Sequence, residues 1–176
     1  MIYFARSASS ASIKIGATSN LYRRLQTLAA ARCEKIECLA TIDGSWREEA
    51  FLHHAFAPSC EKLDWFCASQ AMSDTIDEAA AGRLAWLPAF SEIPKGWASV
   101  EARRMFGTLK AARLALGYQE TSVLTDAEAI LPRLMLFKRV SSKELPARIL
   151  ELHAHGIVFH RKGKTASSQR KSAVAA

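Results

Sequence analysis

The sequence predicts an α+β protein in which a small mixed domain, residues 1–86, precedes a mostly helical basic region. Two N-terminal segments alternate apolar and polar residues with the period of a β-strand. Two helix-capping signals follow them, at Asn20 and Ser45. The later half has helical periodicity and carries the excess of positive charge. At 176 residues, the chain has room for one domain and an appendage.

The first two strands are predicted at residues 2–6 and 12–16, on either side of the Ser/Ala-rich loop SASSA. Because side chains alternate between the two faces of a strand, we expect Tyr3 and Lys14 on the same side of this hairpin. Residues 36–42, with the sequence IECLATI, predict a third strand. The expected architecture is therefore a three-stranded antiparallel sheet flanked by helices.

The first helix is predicted over about residues 21–31, because Asn20 is a favourable N-cap. Three leucines at i, i+4 and i+7 predict one buried face. Arg24 lies beside this apolar stripe, whereas Arg23 points more outward. The stripe consists of Leu21, Leu25 and Leu28.

The second helix is predicted from Ser45 to about Ala57, because Ser45 begins an S-x-x-E capping box that Glu48 completes. On this helix Glu49 and His53 are one turn apart and share a face. A further helix is expected over residues 70–86. Apolar contacts of the second helix are expected from Trp46, Leu52 and Phe56.

Residues 87–97 predict a linker, because they contain two prolines and a glycine between apolar residues. Beyond the linker, residues 98–160 predict three helices and a basic hairpin in the sequence IVFHRKGK. This outline resembles a winged helix-turn-helix, and a plain helical appendage fits it equally well. Residues 161–176 have the composition of a disordered basic tail. The three helices are expected over residues 99–116, over residues 126–138, and from Ser141 or Ser142 to about residue 155.

The formal net charge of +7 is distributed unevenly along the chain. Residues 1–90 contain nine Lys/Arg and ten Asp/Glu, whereas residues 91–176 contain fifteen and seven. A basic region of this kind most often binds nucleic acid and less often an acidic membrane surface. No apolar run approaches the length of a membrane span, so we expect a soluble, cytoplasmic protein without a membrane partner.

The four cysteines match no standard zinc motif, because their spacings are x4, x21 and x6. A disulfide framework is not expected without a secretory signal, and the thiols are expected to pack as small apolar groups. A zinc site that uses His53 or His54 is a weaker alternative. The cysteines are Cys33, Cys38, Cys60 and Cys67.

Short motifs occur in a fixed order along the first 66 residues. They are Ile2-Tyr3, Lys14-Ile15-Gly16, Arg24, then Glu49 with Leu52, His53 and Phe56, and finally Asp64-Trp65-Phe66. In this order and spacing, residues 1–80 resemble the GIY-YIG endonuclease superfamily, in particular a compact branch with a lysine-isoleucine-glycine second motif. Three positions depart from the superfamily pattern: Met1 replaces a glycine, Lys14 a tyrosine, and Asp64 the more usual glutamate.

The resemblance implies a phosphodiester-cleaving site to which three segments contribute. Glu49 would hold one Mg²⁺ or Mn²⁺ ion, and a single carboxylate suits a cation that retains waters. Arg24 would donate hydrogen bonds to the phosphate as charge builds on it. Tyr3 would activate or position water with Lys14 as its neighbouring cation, or Lys14 would bind phosphate itself. His53 is a second candidate base, because imidazole titrates near neutrality. Structural roles are implied for Gly16, Trp65 and Phe66.

Each of these residues also has a structural interpretation. Tyr3 fits a strand aromatic, Arg24 a solvated helix arginine, and Glu49 an acid stabilised at a helix start. His53 beside His54 fits a half-buried histidine.

We expect a DNA endonuclease whose basic C-terminal region holds the nucleic acid through phosphate contacts. One alternative is a non-catalytic DNA-binding or regulatory protein with the same fold. Another is an interaction module whose charge keeps it soluble. The expected nucleic-acid contacts are Arg23, Arg103, Arg104, Lys110, Arg113, Lys138, Arg139, Arg161, Lys162 and Lys164.

Overall fold

The structure, a computed structural model, describes residues 1–82, 84–118 and 127–156. These residues form an α+β fold that divides into two compact units. Described residues of 1–94 and 131–156 belong to the first unit, and those of 95–130 belong to the second. The α+β class is confirmed. One boundary between the units, between residues 94 and 95, lies within the expected linker, 87–97, and the described residues from 131 onward belong to the first unit.

The helices of the described residues are numbered along the chain. In the first unit they are α1 (Leu21–Arg32), α2 (Trp46–Ala55), α3 (Gln70–Ala80), α6 (Leu131–Ser142) and α7 (Ala147–Gly156), and in the second α4 (Trp97–Phe106) and α5 (Leu109–Ala115). Among the described residues, none of these helices is both long and apolar enough to cross a lipid bilayer.

A five-stranded antiparallel sheet lies in the first unit. Its strands are β1 (Ile2–Ser7), β2 (Ile13–Ala17), β3 (Ile36–Ile42), β4 (Cys60–Lys62) and β5 (Trp65–Phe66), in the spatial order β3-β1-β2-β5-β4. The expected count of three strands was wrong. With three and two residues, β4 and β5 are too short for an alternating pattern to reveal them.

The register of the β1–β2 hairpin places Tyr3 opposite Gly16 and Ala5 opposite Lys14. Opposed residues share a face, so Tyr3 and Lys14 lie on the same side of the sheet, as the alternation predicts. Helix α1 covers this face, where Leu28 packs in a buried cluster with Tyr3, Ala5 and Trp65.

Helix α2 packs on the opposite face of the sheet. The ring of Phe56, which caps this helix, meets Phe66 edge-on at a centroid distance of 6.5 Å. Phe51 on the same helix packs against Phe90 at 6.0 Å. The two fully buried phenylalanines therefore fix the side of α2 that faces the core.

Both predicted helix starts in the first unit are confirmed. The Asn20 side chain accepts a hydrogen bond from the Arg23 amide, and Ser45 and Glu48 form the complete capping box. The next helix, α3, ends at Ala80 rather than near residue 86. The caps fix where α1 and α2 begin, and therefore where Arg24 and Glu49 lie.

The helices of the basic half differ from the expected pattern. The segment 99–116 forms two helices, because Gly107 has a positive φ of 79° and Thr108 caps α5. Ser141 and Ser142 end α6 instead of capping the next helix, and α7 begins directly after Pro146. The helices expected for a winged helix-turn-helix are divided between the two units. The expected hairpin and tail lie outside the described residues.

Candidate active site

Tyr3 and Gly16 meet at the centre of the candidate site. Tyr3 is fully buried, and its hydroxyl group lies where a side chain at Gly16 would begin. A Cβ atom at position 16 would lie 2.4 Å from the Tyr3 oxygen, far inside van der Waals contact. Glycine is required here because the phenol packs directly on the backbone of β2.

Arg24 binds the Tyr3 phenol from helix α1. Its Nε donates a hydrogen bond to the phenolic oxygen at 3.0 Å. No described group accepts a hydrogen bond from the two terminal nitrogens of Arg24. The guanidinium is thus held by its inner nitrogen, and its outer pair of donors has the geometry that suits a phosphate.

Strand β5 is short and pairs with only two residues of β2, Ile13 and Lys14. The edge of β2 beyond them is left open. Helix α2 fills this gap with side chains. Glu49 accepts a hydrogen bond from the Ala17 amide at 3.0 Å, and His53 Nε2 lies 3.0 Å from the Ile15 carbonyl oxygen. Two side chains one turn apart therefore take the backbone hydrogen bonds that a longer β5 would have made.

Tyr3, Arg24 and Glu49 consequently converge on the last two residues of β2. The phenol with its arginine lies against Gly16, and the carboxylate bonds to Ala17. No described group hydrogen-bonds to the second oxygen of Glu49. A phenol, a guanidinium and an acid from three segments thus surround one end of a strand.

Lys14 bonds to the turn before β5 and not to the Tyr3 hydroxyl, although the two residues share a face. Its Nζ donates to the Leu63 carbonyl oxygen at 2.7 Å and lies 3.4 Å from Asp64 Oδ2. Leu63 and Asp64 form the turn between β4 and β5, and both have positive φ values, 51° and 63°. The side chain of Lys14, only 8% exposed, therefore stabilises a strained turn, and the cation beside the phenol is Arg24.

His53 has acceptors at both ring nitrogens. Its Nδ1 lies 3.5 Å from Asp64 Oδ1, while Nε2 faces the Ile15 carbonyl group. The ring also packs against Phe66 at a centroid distance of 5.4 Å. Both ring nitrogens therefore lie against oxygen atoms of the protein in this arrangement.

Asp64 is a site residue whose contacts sequence reasoning missed. The closing triplet marked its position, but not its contacts with both Lys14 and His53. The other two members of the triplet are core residues, as expected: Trp65 lies under the Arg32 guanidinium at 4.1 Å, and Phe66 is 1% exposed.

A second histidine, His54, lies on the flank of α2 and contacts α6. Arg133 Nε donates to His54 Nε2 at 3.2 Å. Burial, together with the positive charge of Arg133, lowers the pKa of His54 to about 3. The imidazole is therefore neutral at physiological pH and serves as an acceptor between two helices.

The basic residues of the C-terminal half differ in their environments. Arg103 and Lys110 are exposed, whereas Arg113, Lys138 and Arg139 are partly buried. Arg104 forms a two-pronged hydrogen bond with Glu101, at 2.9 and 2.7 Å, and Arg139 donates to the Trp86 carbonyl oxygen. Arg23 on α1 is exposed. The remaining expected contacts, Arg161, Lys162 and Lys164, lie outside the described residues.

At the end of β2, Glu49 offers one carboxylate as a ligand for a metal ion. Among the described residues, no group of three or more His, Cys, Asp or Glu side chains is arranged to hold a metal ion. All four cysteines are free thiols, so the described chain provides no zinc cluster with His53 or His54. Glu49, with one oxygen held by Ala17, fits a hard cation that keeps most of its own waters.

Comparisons of the chain with protein-family models, with curated proteins and with solved structures found no match. The resemblance to the GIY-YIG superfamily therefore rests on the motifs alone.

Proposed function

We propose that the protein is a metal-dependent endonuclease that hydrolyses phosphodiester bonds in DNA. The observation that supports this proposal is the convergence of Arg24 and Glu49 on the end of β2, each held by one contact and each with donors or an acceptor left for a ligand. An acid that can bind a cation and a guanidinium that can bind an anion, both at the same end of one strand, are the minimum that phosphodiester hydrolysis requires.

Arg24 would bind the non-bridging oxygens of the scissile phosphate. Its terminal nitrogens form a planar fork that matches two phosphate oxygens, and negative charge builds on those oxygens as water attacks. Removal of one such donor typically slows a reaction by about 100- to 1,000-fold.

Glu49 would hold Mg²⁺ or Mn²⁺ through its second oxygen. When bound, such a cation stabilises the charge on the phosphate and on the departing oxygen. The Ala17 amide keeps the carboxylate in one position, so the ligand is oriented before the cation arrives.

Tyr3 would act through Arg24. Because the phenol is fully buried, it cannot exchange protons with an attacking water in this arrangement, but its oxygen orients the guanidinium. Tyr3 is therefore a positioning residue in this proposal, as are Lys14 and His53, which fix the turn and the strand edge next to it. Exposed cations such as Arg23, Arg103 and Lys110 would add phosphate contacts.

The proposal is tested most sharply by Glu49→Gln. An amide oxygen can still accept the hydrogen bond from Ala17, so the fold should be retained while the charge that binds the cation is lost. We expect supercoiled plasmid to be nicked by the wild-type protein with Mg²⁺ and not detectably by Glu49→Gln. Thermal unfolding of both proteins should coincide.

The matched control is Glu37→Gln, which removes an exposed carboxylate paired with Arg6 at the other end of β1. This variant should nick at the wild-type rate. If wild-type protein binds DNA and never cuts it with either metal, the endonuclease proposal is wrong and the non-catalytic alternative stands.

A further inference from the structure

An aromatic side chain is exposed beside the candidate site. Trp46 is the first residue of α2 and is 53% exposed, although the sequence predicts it among the apolar contacts of that helix. The Arg47 guanidinium lies over its ring at 5.4 Å. A large flat ring that faces solvent is available to a ligand.

The position of Trp46 on α2 aligns it with the site. Trp46, Glu49 and His53 follow one another at i, i+3 and i+7, so they form one row along the helix. Glu49 and His53 in this row reach the edge of β2. Trp46 extends the row by one turn, with Cβ atoms of neighbours in such a row about 5–6 Å apart. Since bases along a strand rise by about 3.4 Å each, this offset corresponds to one or two nucleotides.

We propose that Trp46 stacks on an unpaired base next to the scissile phosphate, so that the substrate carries a single-stranded segment at the cut. This inference rests on the proposed function for the location of the phosphate. Aromatic stacking is the usual way in which proteins hold single strands, because every base has a flat face, and an arginine over the same ring adds a cation. An intact duplex hides its base faces and offers none to the indole.

A control for this proposal lies on α1. Tyr22 is 74% exposed, and its hydroxyl accepts a hydrogen bond from Gln26. Two residues along a helix correspond to a rotation of about 200°, so Tyr22 and Arg24 lie on opposite flanks of α1. Tyr22 is thus an exposed aromatic residue of similar kind that does not adjoin the site.

The experiment measures binding of the full-length protein, without divalent metal, to three probes: a short oligothymidine, a strand of equal length with abasic sites, and an intact duplex. We expect Trp46→Ala to weaken binding of the oligothymidine by roughly 5- to 150-fold, the range for one lost stacked base. Trp46→Phe should retain most of the affinity, and Tyr22→Ala should bind as the wild type does. Binding of the abasic strand should not change in any of these variants.

Equal affinity of the wild-type protein for the oligothymidine and the abasic strand would overturn the proposal. So would a uniform loss of affinity for all three probes in Trp46→Ala, because that would indicate a general disturbance or a lost phosphate contact. Concentration-dependent self-association that Trp46→Ala abolishes would instead assign the ring to a protein interface.

The experiments can contradict either proposal and leave the other intact. If Trp46-dependent binding of unpaired bases occurs, and neither the plasmid nor a duplex with a single-stranded segment is cut with Mg²⁺ or Mn²⁺, the stacking proposal stands and the endonuclease proposal is wrong. If the plasmid is nicked and Trp46→Ala nicks it as fast with unchanged affinity for oligothymidine, the endonuclease proposal stands and the stacking proposal is wrong.

Discussion

Arg24 forms one group by itself, and the arginines of the C-terminal half form the second. All carry the same charge, but the two groups differ in where their hydrogen bonds go. Arg24 uses only Nε within the described residues, and Tyr3 is its acceptor. In the C-terminal half, Arg104 bonds to Glu101, Arg139 to the Trp86 carbonyl oxygen, and Arg148 to Glu78. The comparison shows that a count of basic residues overstates the number of cations left for a ligand, because several of them bond to other groups of the protein.

The environments of the two groups explain this difference. The end of β2 is a place where the sheet lacks a strand, so its backbone requires side-chain partners and holds them in fixed positions. Helices α6 and α7 instead belong to the unit that contains the sheet, and their arginines reach acceptors on neighbouring elements as they pack. Position in the fold, rather than charge, therefore decides which arginines are available to a ligand.

The sharpest test of the comparison is Arg24→Ala beside Arg104→Ala. We expect Arg24→Ala to reduce the cleavage rate by about 100- to 1,000-fold, because it removes two donors from the phosphate. Arg104→Ala should stay within about fivefold of the wild type, because its guanidinium is already bonded to Glu101 and an exposed ion pair contributes little to stability. Single-turnover cleavage measures both. Equal losses in the two variants would contradict the distinction between the groups.

The variant Tyr3→Phe tests whether Tyr3 only orients the Arg24 guanidinium or also acts as a general base. If the phenol only orients the guanidinium, the variant loses one hydrogen bond to a charged group and slows cleavage about tenfold. If Tyr3 were a general base, the loss would be about 100- to 10,000-fold. Single-turnover rates and a pH profile distinguish the two, since loss of a base would also remove a titration step from the profile.

A last test concerns stability and not cleavage, and it uses Arg133, a further arginine of the C-terminal half, through its partner His54. The pKa of His54 falls from 6.5 to about 3 on folding, so between these values the unfolded chain binds a proton that the folded chain does not. Stability should therefore be complete above pH 6.5 and decline as the pH falls toward 3, by at most about 1.4 kcal/mol per pH unit.

Urea unfolding of the wild type and of His54→Gln at pH 7.5 and 5 measures this contribution. The variant should lose less stability between the two values. His153, whose pKa burial also lowers, leaves a residual decline in both proteins. Equal pH dependence in both proteins would show that His54 is not held neutral.

The sequence was sufficient where the fold depends on local signals. The Asn20 cap, the Ser45 capping box and the alternation of β1 and β2 were all predicted, because each reflects contacts between residues close in the chain. The shared face of Tyr3 and Lys14 was also predicted, since strand alternation fixes it.

Contacts between distant segments could not be predicted from the sequence in the same way. The strands β4 and β5 are too short to leave a pattern, and their turn places Asp64 between Lys14 and His53. The hydrogen-bond partners of Lys14 are Leu63 and Asp64, and the cation bonded to Tyr3 is Arg24, because a shared face does not determine which acceptor a lysine reaches. Similarly, nothing local indicates that α6 returns to the first unit.

The side chains that cover β2 have a consequence for assembly. Strands with unsatisfied edges recruit further strands, from another copy or from a misfolded chain. Here Glu49 and His53 occupy the backbone groups of Ala17 and Ile15 that would start such a ladder. The pair of residues at the candidate site thereby leaves neither of these two backbone groups for a further strand.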